Sequence, residues 1–133
     1  MRHPARRRLL HAAALLALLM AGASLSANAQ DLVPLTGPEI TTLLLGNSIE
    51  GTWGPSHFRS YFAPDGTTLY QPQGQSPEQG HWKVVGDQYC SIADEGGDAC
   101  FNLYRDGAVL VWEEPGSGTR FPSTVIQGKA VPW

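Results

Sequence analysis

Residues 81–113 read HWKVVGDQYCSIADEGGDACFNLYRDGAVLVWE, and this stretch decides the fold. Apolar and polar residues alternate along it with period two, and glycine-containing pairs interrupt the alternation, as in short antiparallel strands joined by tight turns. His81–Val85 and Gln88–Ala93 flank Gly86-Asp87. A two-residue turn there sets Val84 opposite Tyr89 and Trp82 opposite Ser91. Ala99–Arg105 and Ala108–Glu113 flank Asp106-Gly107, which sets Leu103 opposite Leu110 and Phe101 opposite Trp112. Between the two hairpins, Cys90 and Cys100 fall opposite each other across the turn Asp94-Glu95-Gly96-Gly97. Chaining these registers places Trp82, Val84, Tyr89, Phe101, Leu103, Leu110 and Trp112 on one face. His81, Lys83, Val85, Cys90, Ile92, Cys100, Asn102, Tyr104, Val109 and Val111 fall on the other. The first face is almost wholly apolar and aromatic and is assigned to the core; a slip of one residue would exchange the faces.

Working outward, Ser48–Trp53, His57–Phe62 and Thr67–Tyr70 read as further strands, with Pro64-Asp65-Gly66 as the turn between the last two. Gln71 to Gln79 reads as a polar loop, Glu113 to Gly118 as another, and Thr124–Gln127 as a last strand before the tail to Trp133. Upstream, Thr36-Gly37-Pro38-Glu39 has the spacing of a helix-capping box, and Pro38 suits a first turn. Ile40, Leu43 and Leu44 follow as one apolar stripe, and Gly46-Asn47 ends the helix. Two turns of helix do not stand alone, so the stripe must pack on the strands. Gln30 to Leu35 reads as a loose arm. The expected fold is mainly β: a small antiparallel meander forming a strongly curved sheet or small barrel, preceded by one short N-terminal helix that covers an open end or face. A two-sheet sandwich is the alternative.

The first 29 of the 133 residues read as a cleaved secretory signal peptide. Met1 to Arg8 is basic, Leu9 to Ala23 is apolar, and Ala27-Asn28-Ala29 supplies the small residues of a cleavage site before Gln30. Residues 30–133 then form a single secreted β-domain. That segment carries five basic and twelve acidic residues, a net charge of −7, which argues against a nucleic-acid partner. It contains no apolar run of transmembrane length. Its two cysteines, Cys90 and Cys100, allow one pairing, and an exported chain meets an oxidising environment, so a disulfide is expected. The compartment read from these features is periplasmic or secreted.

The order of motifs carries a resemblance. It runs through Leu35-Thr36-Gly37-Pro38-Glu39-Ile40, Gly46-Asn47-Ser48-Ile49-Glu50-Gly51 and Tyr61-Phe62-Ala63-Pro64-Asp65-Gly66-Thr67. Gly80-His81-Trp82-Lys83-Val84, Tyr89-Cys90 and Cys100-Phe101 follow. This resembles small exported β-domain proteins of proteobacteria, mostly of the alpha class, that have a Gly-x-Trp strand, a cysteine pair and no assigned function. The motifs are turns, a cap, core aromatics and a cysteine pair, so the resemblance implies a compact periplasmic β-domain and transfers no catalytic residue.

No catalytic set stands out, and no cofactor or metal is expected. His57 and His81 are the only histidines after the leader, 24 residues apart and without ligand spacing. Asp94, Glu95 and Asp98 share a Gly-rich turn but lack the alternation of a calcium loop. Glu113-Glu114 point to opposite faces and cannot flank one glycosidic bond, and Ser56-His57 diverge in the same way. Aromatics are the richest feature: either they fill the core, or some line a concave barrel mouth that stacks on a sugar, haem or lipid. Trp53, Tyr70, His57 and His81 are the ligand-contact candidates. The expected role is a non-enzymatic, monomeric binding module for a partner protein, an envelope component or a small apolar ligand, inhibition of a hydrolase being one version. A small hydrolase using a His/carboxylate pair, or a haem or metal binder, is the alternative.

Overall fold

The alternation read from the sequence produces strands that close on themselves. The computed structural model describes residues 32–92 and 98–133. The segment expected as a leader (1–29) and the one expected as a turn (Asp94–Gly97) lie outside them. Among the described residues nine strands and one helix follow in order: β1 (Val33–Pro34), α1 (Gly37–Leu44), β2 (Ser48–Trp53), β3 (Ser56–Phe62), β4 (Thr67–Pro72), β5 (Glu78–Val85), β6 (Gln88–Ile92), β7 (Asp98–Asp106), β8 (Val109–Glu113) and β9 (Arg120–Ile126). From β2 to β9 each strand pairs antiparallel with the next, and β9 pairs back onto β2. The result is a closed up-and-down barrel of eight strands, so the strongly curved alternatives resolve to the barrel and not the sandwich. No helix among the described residues is long and apolar enough to cross a membrane.

Alternation selects the interior. Ile49 and Trp53 on β2, Phe58, Ser60 and Phe62 on β3, and Thr68 and Tyr70 on β4 share a face with Trp82, Tyr89, Ser91, Phe101, Leu103, Leu110 and Trp112, as the cross-strand registers require. Phe62 lies edge-on to Trp82 and Tyr89, each at 5.6 Å between ring centroids, and Tyr89 lies edge-on to Trp112 at 4.9 Å. Such edge-to-face pairs let large rings fill a narrow interior. The face assigned to the core is therefore the interior face, and Cys90 is bonded to Cys100 across β6 and β7.

The β5–β6 turn has the expected register, Val84 opposite Tyr89. The β7–β8 register differs: Leu103 pairs with Trp112 and Arg105 with Leu110, two residues from the expected pairing. An Asp-Gly turn of type I′ needs positive φ at both central residues. Among the described residues none other than glycine has positive φ, and Gly107 (φ 57°) opens the turn with Ala108 following, as Gly86 (φ 57°) does before Asp87. A shift of two preserves the faces, so the core is unaffected.

Turns alternate between the two ends. The β3–β4, β5–β6 and β7–β8 turns share one end with α1. Thr36 accepts a hydrogen bond from the Glu39 amide, and the Glu39 carboxylate accepts from the Thr36 amide at 2.8 Å, completing the capping box. The helix N-terminus rests on the β5–β6 turn, where the Gly37 amide donates to Asp87 Oδ1 at 2.7 Å. Its C-terminal end is tied to β3 by the Gly46 amide donating to the Phe62 carbonyl at 2.8 Å. Ile40 and Leu44 are fully buried and join the core with Leu103, Leu110 and Trp112, so α1 closes this end.

Two segments read as irregular are ordered parts of the barrel wall. The arm before α1 forms β1, which pairs with Tyr104 and Arg105 of β7 where β6 has already ended, and Leu35 is buried. The loop expected from Gln71 to Gln79 shrinks, because β4 runs to Pro72 and β5 starts at Glu78. The tail also lies against the wall. Ser48 Oγ donates to the Gly128 carbonyl at 2.8 Å, Val131 is buried, and the Trp133 amide donates to Gln71 Oε1 at 3.0 Å.

Candidate functional site

The other end of the barrel carries the β2–β3, β4–β5, β6–β7 and β8–β9 connections and, among the described residues, no helix. From it a cavity of about 320 Å³ runs into the interior. Its walls differ. Trp53, Phe58, Phe101, Trp112 and Phe121 form an aromatic side built from β2, β3, β7, β8 and β9. Ser60, Thr68, Tyr70, Tyr89 and Ser91 line it from β3, β4 and β6 with hydroxyls. Among the described residues none that lines it is charged.

Trp53 marks the rim. It ends β2, is 50% exposed, and stacks on Phe121 with ring centroids 4.1 Å apart. Phe58 and Tyr70 pack at 5.4 Å just inside. Burial, with a smaller push from the Glu78 charge, raises the Tyr70 phenol above its ordinary value, so it is neutral at physiological pH. Tyr89 lies deepest. Its ring is held by Phe62 and Trp112, and burial alone pushes its phenol far up. No hydrogen bond to its hydroxyl contributes to that shift. Every fully buried side-chain nitrogen or oxygen among the described residues has a partner. The Tyr89 hydroxyl therefore opens onto the cavity that it lines. The floor beside it is settled: Trp112 Nε1 donates to Ser123 Oγ at 2.8 Å, and Ser123 Oγ donates on to the Leu110 carbonyl.

The structure separates the four ligand-contact candidates. Trp53 and Tyr70 line the cavity. His57 and His81 sit exposed on the outer wall, on β3 and β5, and are not brought together. His57 borders a shallow outer groove with Glu50 and Thr124, and Glu50 is held by Arg59 at 2.8 Å. Glu113 also faces outward. It accepts from Arg120 Nε (2.8 Å), Tyr104 Oη (3.0 Å) and Asn102 Nδ2 (3.3 Å), and these bonds hold its carboxyl below the ordinary glutamate value. Glu114 is exposed in the next loop, and Ser56 is exposed at the start of β3. Asp98 pairs with Lys83 at 2.8 Å, while Asp94 and Glu95 lie outside the described residues. Among the described residues no group of three or more His, Cys, Asp or Glu converges as metal ligands.

Phe121 was not legible as a site residue. The last strand was expected to start at Thr124, and Pro122 breaks the apparent run. The alternation Phe121, Ser123, Val125 was its available signal. Pro122 is tolerated because it pairs only with Val111, one residue beyond the end of the β2–β9 ladder.

No protein-family model, curated protein or solved structure matches the chain.

Proposed function

We propose that this chain is an exported, disulfide-stapled binding module that takes a small, largely apolar molecule inside its barrel. The cavity is the observation that carries this reading. Eight-stranded barrels are just wide enough to be filled by side chains or to hold one small ligand, and this interior leaves about 320 Å³ lined mainly by rings. That volume and lining lie within the range of small-molecule sites, which pair apolar walls with a few placed polar groups. The disulfide fits an oxidising compartment, and a periplasmic location agrees with the leader and with the resemblance to exported β-domains. On the described outer wall the two histidines are apart and the carboxylate of Glu113 is occupied by three donors.

Titration with prodan, an uncharged environment-sensitive naphthalene dye, tests the proposal. The expected result is a saturable blue shift with one site per chain. Ser60→Phe fills the cavity from β3 and should remove that signal without lowering the Tm. Absence of saturable binding, or full binding by a folded Ser60→Phe variant, would overturn the reading.

A further inference from the structure

The polar wall of the cavity defines the ligand more narrowly, on the premise that the barrel interior is the binding site. We infer that the site takes an uncharged, two-ring aromatic molecule with one hydrogen-bonding edge, its ring on the aromatic wall and its polar edge on Tyr89 and Ser91.

Size sets the ring count. A buried apolar cavity of ~150 Å³ holds one benzene. The volume here, about 320 Å³, is roughly twice that and matches two fused rings. Shape agrees: the rings of Trp53 and Phe121 stack at the rim, and Phe101 and Trp112 continue that wall inward, so a flat partner gains most from it. Charge is excluded by what the lining lacks. Among the described residues no charged side chain borders the cavity, so a carboxylate, phosphate or ammonium group would be desolvated without a counter-ion. The hydrogen-bonding edge is set by Tyr89. Its hydroxyl is neutral, its ring is held in place by Phe62 and Trp112, and it opens onto the cavity with no partner among the described residues. Ser91, two residues on along β6, faces the same space. Hydroxyls donate and accept, so they serve a phenol, an amide or a ring N–H equally. Sugars fit less well, because many fixed hydroxyls need more directed polar partners than one wall of hydroxyls supplies.

The test is displacement of bound prodan from the intact domain by 2-naphthol, naphthalene and 2-naphthoate. One neutral hydrogen bond of ~1 kcal/mol corresponds to about a fivefold difference. The expected order is 2-naphthol about fivefold tighter than naphthalene, with 2-naphthoate at least tenfold weaker than 2-naphthol. Tyr89→Phe should bring 2-naphthol and naphthalene to parity while leaving the Kd for naphthalene within twofold. Ser91→Ala provides a second variant on the same wall and should narrow the preference. Equal binding of 2-naphthol and naphthalene to the wild-type chain, tight binding of 2-naphthoate, or an unchanged preference in folded Tyr89→Phe would overturn the inference and leave the intrabarrel site standing. Failure of prodan and all three competitors to bind would overturn both.

Discussion

Gly37→Ala tests the helix as a barrel closure, because two physical effects give opposite signs at this residue. Alanine is the better helix former by up to ~1 kcal/mol, so propensity alone has the variant more stable. Packing opposes this. A methyl group at residue 37 would lie 2.1 Å from the Gly86 carbonyl oxygen, whereas ordinary contact begins near 3.4 Å. That oxygen belongs to the backbone of a two-residue turn and cannot rotate away, so the helix must lift by about 1 Å or more. Lifting stretches the 2.7 Å bond from the Gly37 amide to Asp87 and loosens Ile40 and Leu44, both fully buried. Overpacking costs ~1–3 kcal/mol, and a hydrogen bond to a charged group contributes a further ~1.5–3 kcal/mol if lost. Partial relaxation of each leads us to expect about 3 kcal/mol of destabilisation, or a fall in Tm of ~10 °C or more for a domain near 100 residues. Urea unfolding followed by tryptophan fluorescence measures it. Asp87→Asn keeps the shape and weakens only the hydrogen bond, so it should cost about 1 kcal/mol. A Gly37→Ala variant as stable as the wild type, or more stable, would refute the packing argument and leave α1 a loosely docked appendage.

Two further predictions concern the barrel wall. The Glu113 carboxyl is held below the ordinary 4.5 by Arg120, Asn102 and Tyr104, so its contribution is present above the unfolded value and disappears as pH falls through the folded one. Glu113→Gln should therefore lower Tm at about pH 7 and converge on the wild type as pH falls through the lowered folded-state value, and an equal Tm gap at both ends would refute this. Cys90 and Cys100, ten residues apart, close a loop whose removal from the unfolded ensemble is worth ~3 kcal/mol in the chain-entropy account. Cys90→Ala with Cys100→Ala should lower the unfolding free energy by ~2–4 kcal/mol, and a loss below ~0.5 kcal/mol would show that the bridge adds nothing to cross-strand packing.

The legible parts of the fold were those carried by periodicity and local turn chemistry. Capping-box spacing located α1, and alternation from Trp82 to Trp112 identified the interior face. What periodicity does not encode was missed. Strand β1 has two residues and exists because β7 outruns β6, leaving Tyr104 and Arg105 with an open edge. The importance of Gly37 was also hidden: beside Thr36 and Pro38 it reads as an ordinary first-turn residue, and only closure of the barrel brings the Gly86 oxygen against it. The β7–β8 register was misread because Asp106-Gly107 carries a strong local signal, while the chain places Gly107 first in the turn, as it does Gly86.

The cavity was hidden for a related reason, and the same residues explain both its shape and its invisibility. Toward the helix, the interior positions are Val84, Leu103, Leu110 and Val125, and together with Ile40 and Leu44 they fill the barrel. Toward the mouth, the equivalent positions include Gly80, Ser91 and Ala99, while Ser60 and Thr68 are small interior residues further in that line the cavity. In a linear reading these small residues weaken the apolar alternation and look like strand ends. In a closed barrel of fixed width each one subtracts volume from an interior that larger side chains would complete. The rings of Trp53, Phe58 and Phe121 then border that space, with Trp53 and Phe121 stacked on each other. The sequence signature of such a cup is thus a change from large to small at interior positions along consecutive strands, and it becomes readable only once register and closure assign those positions to one end.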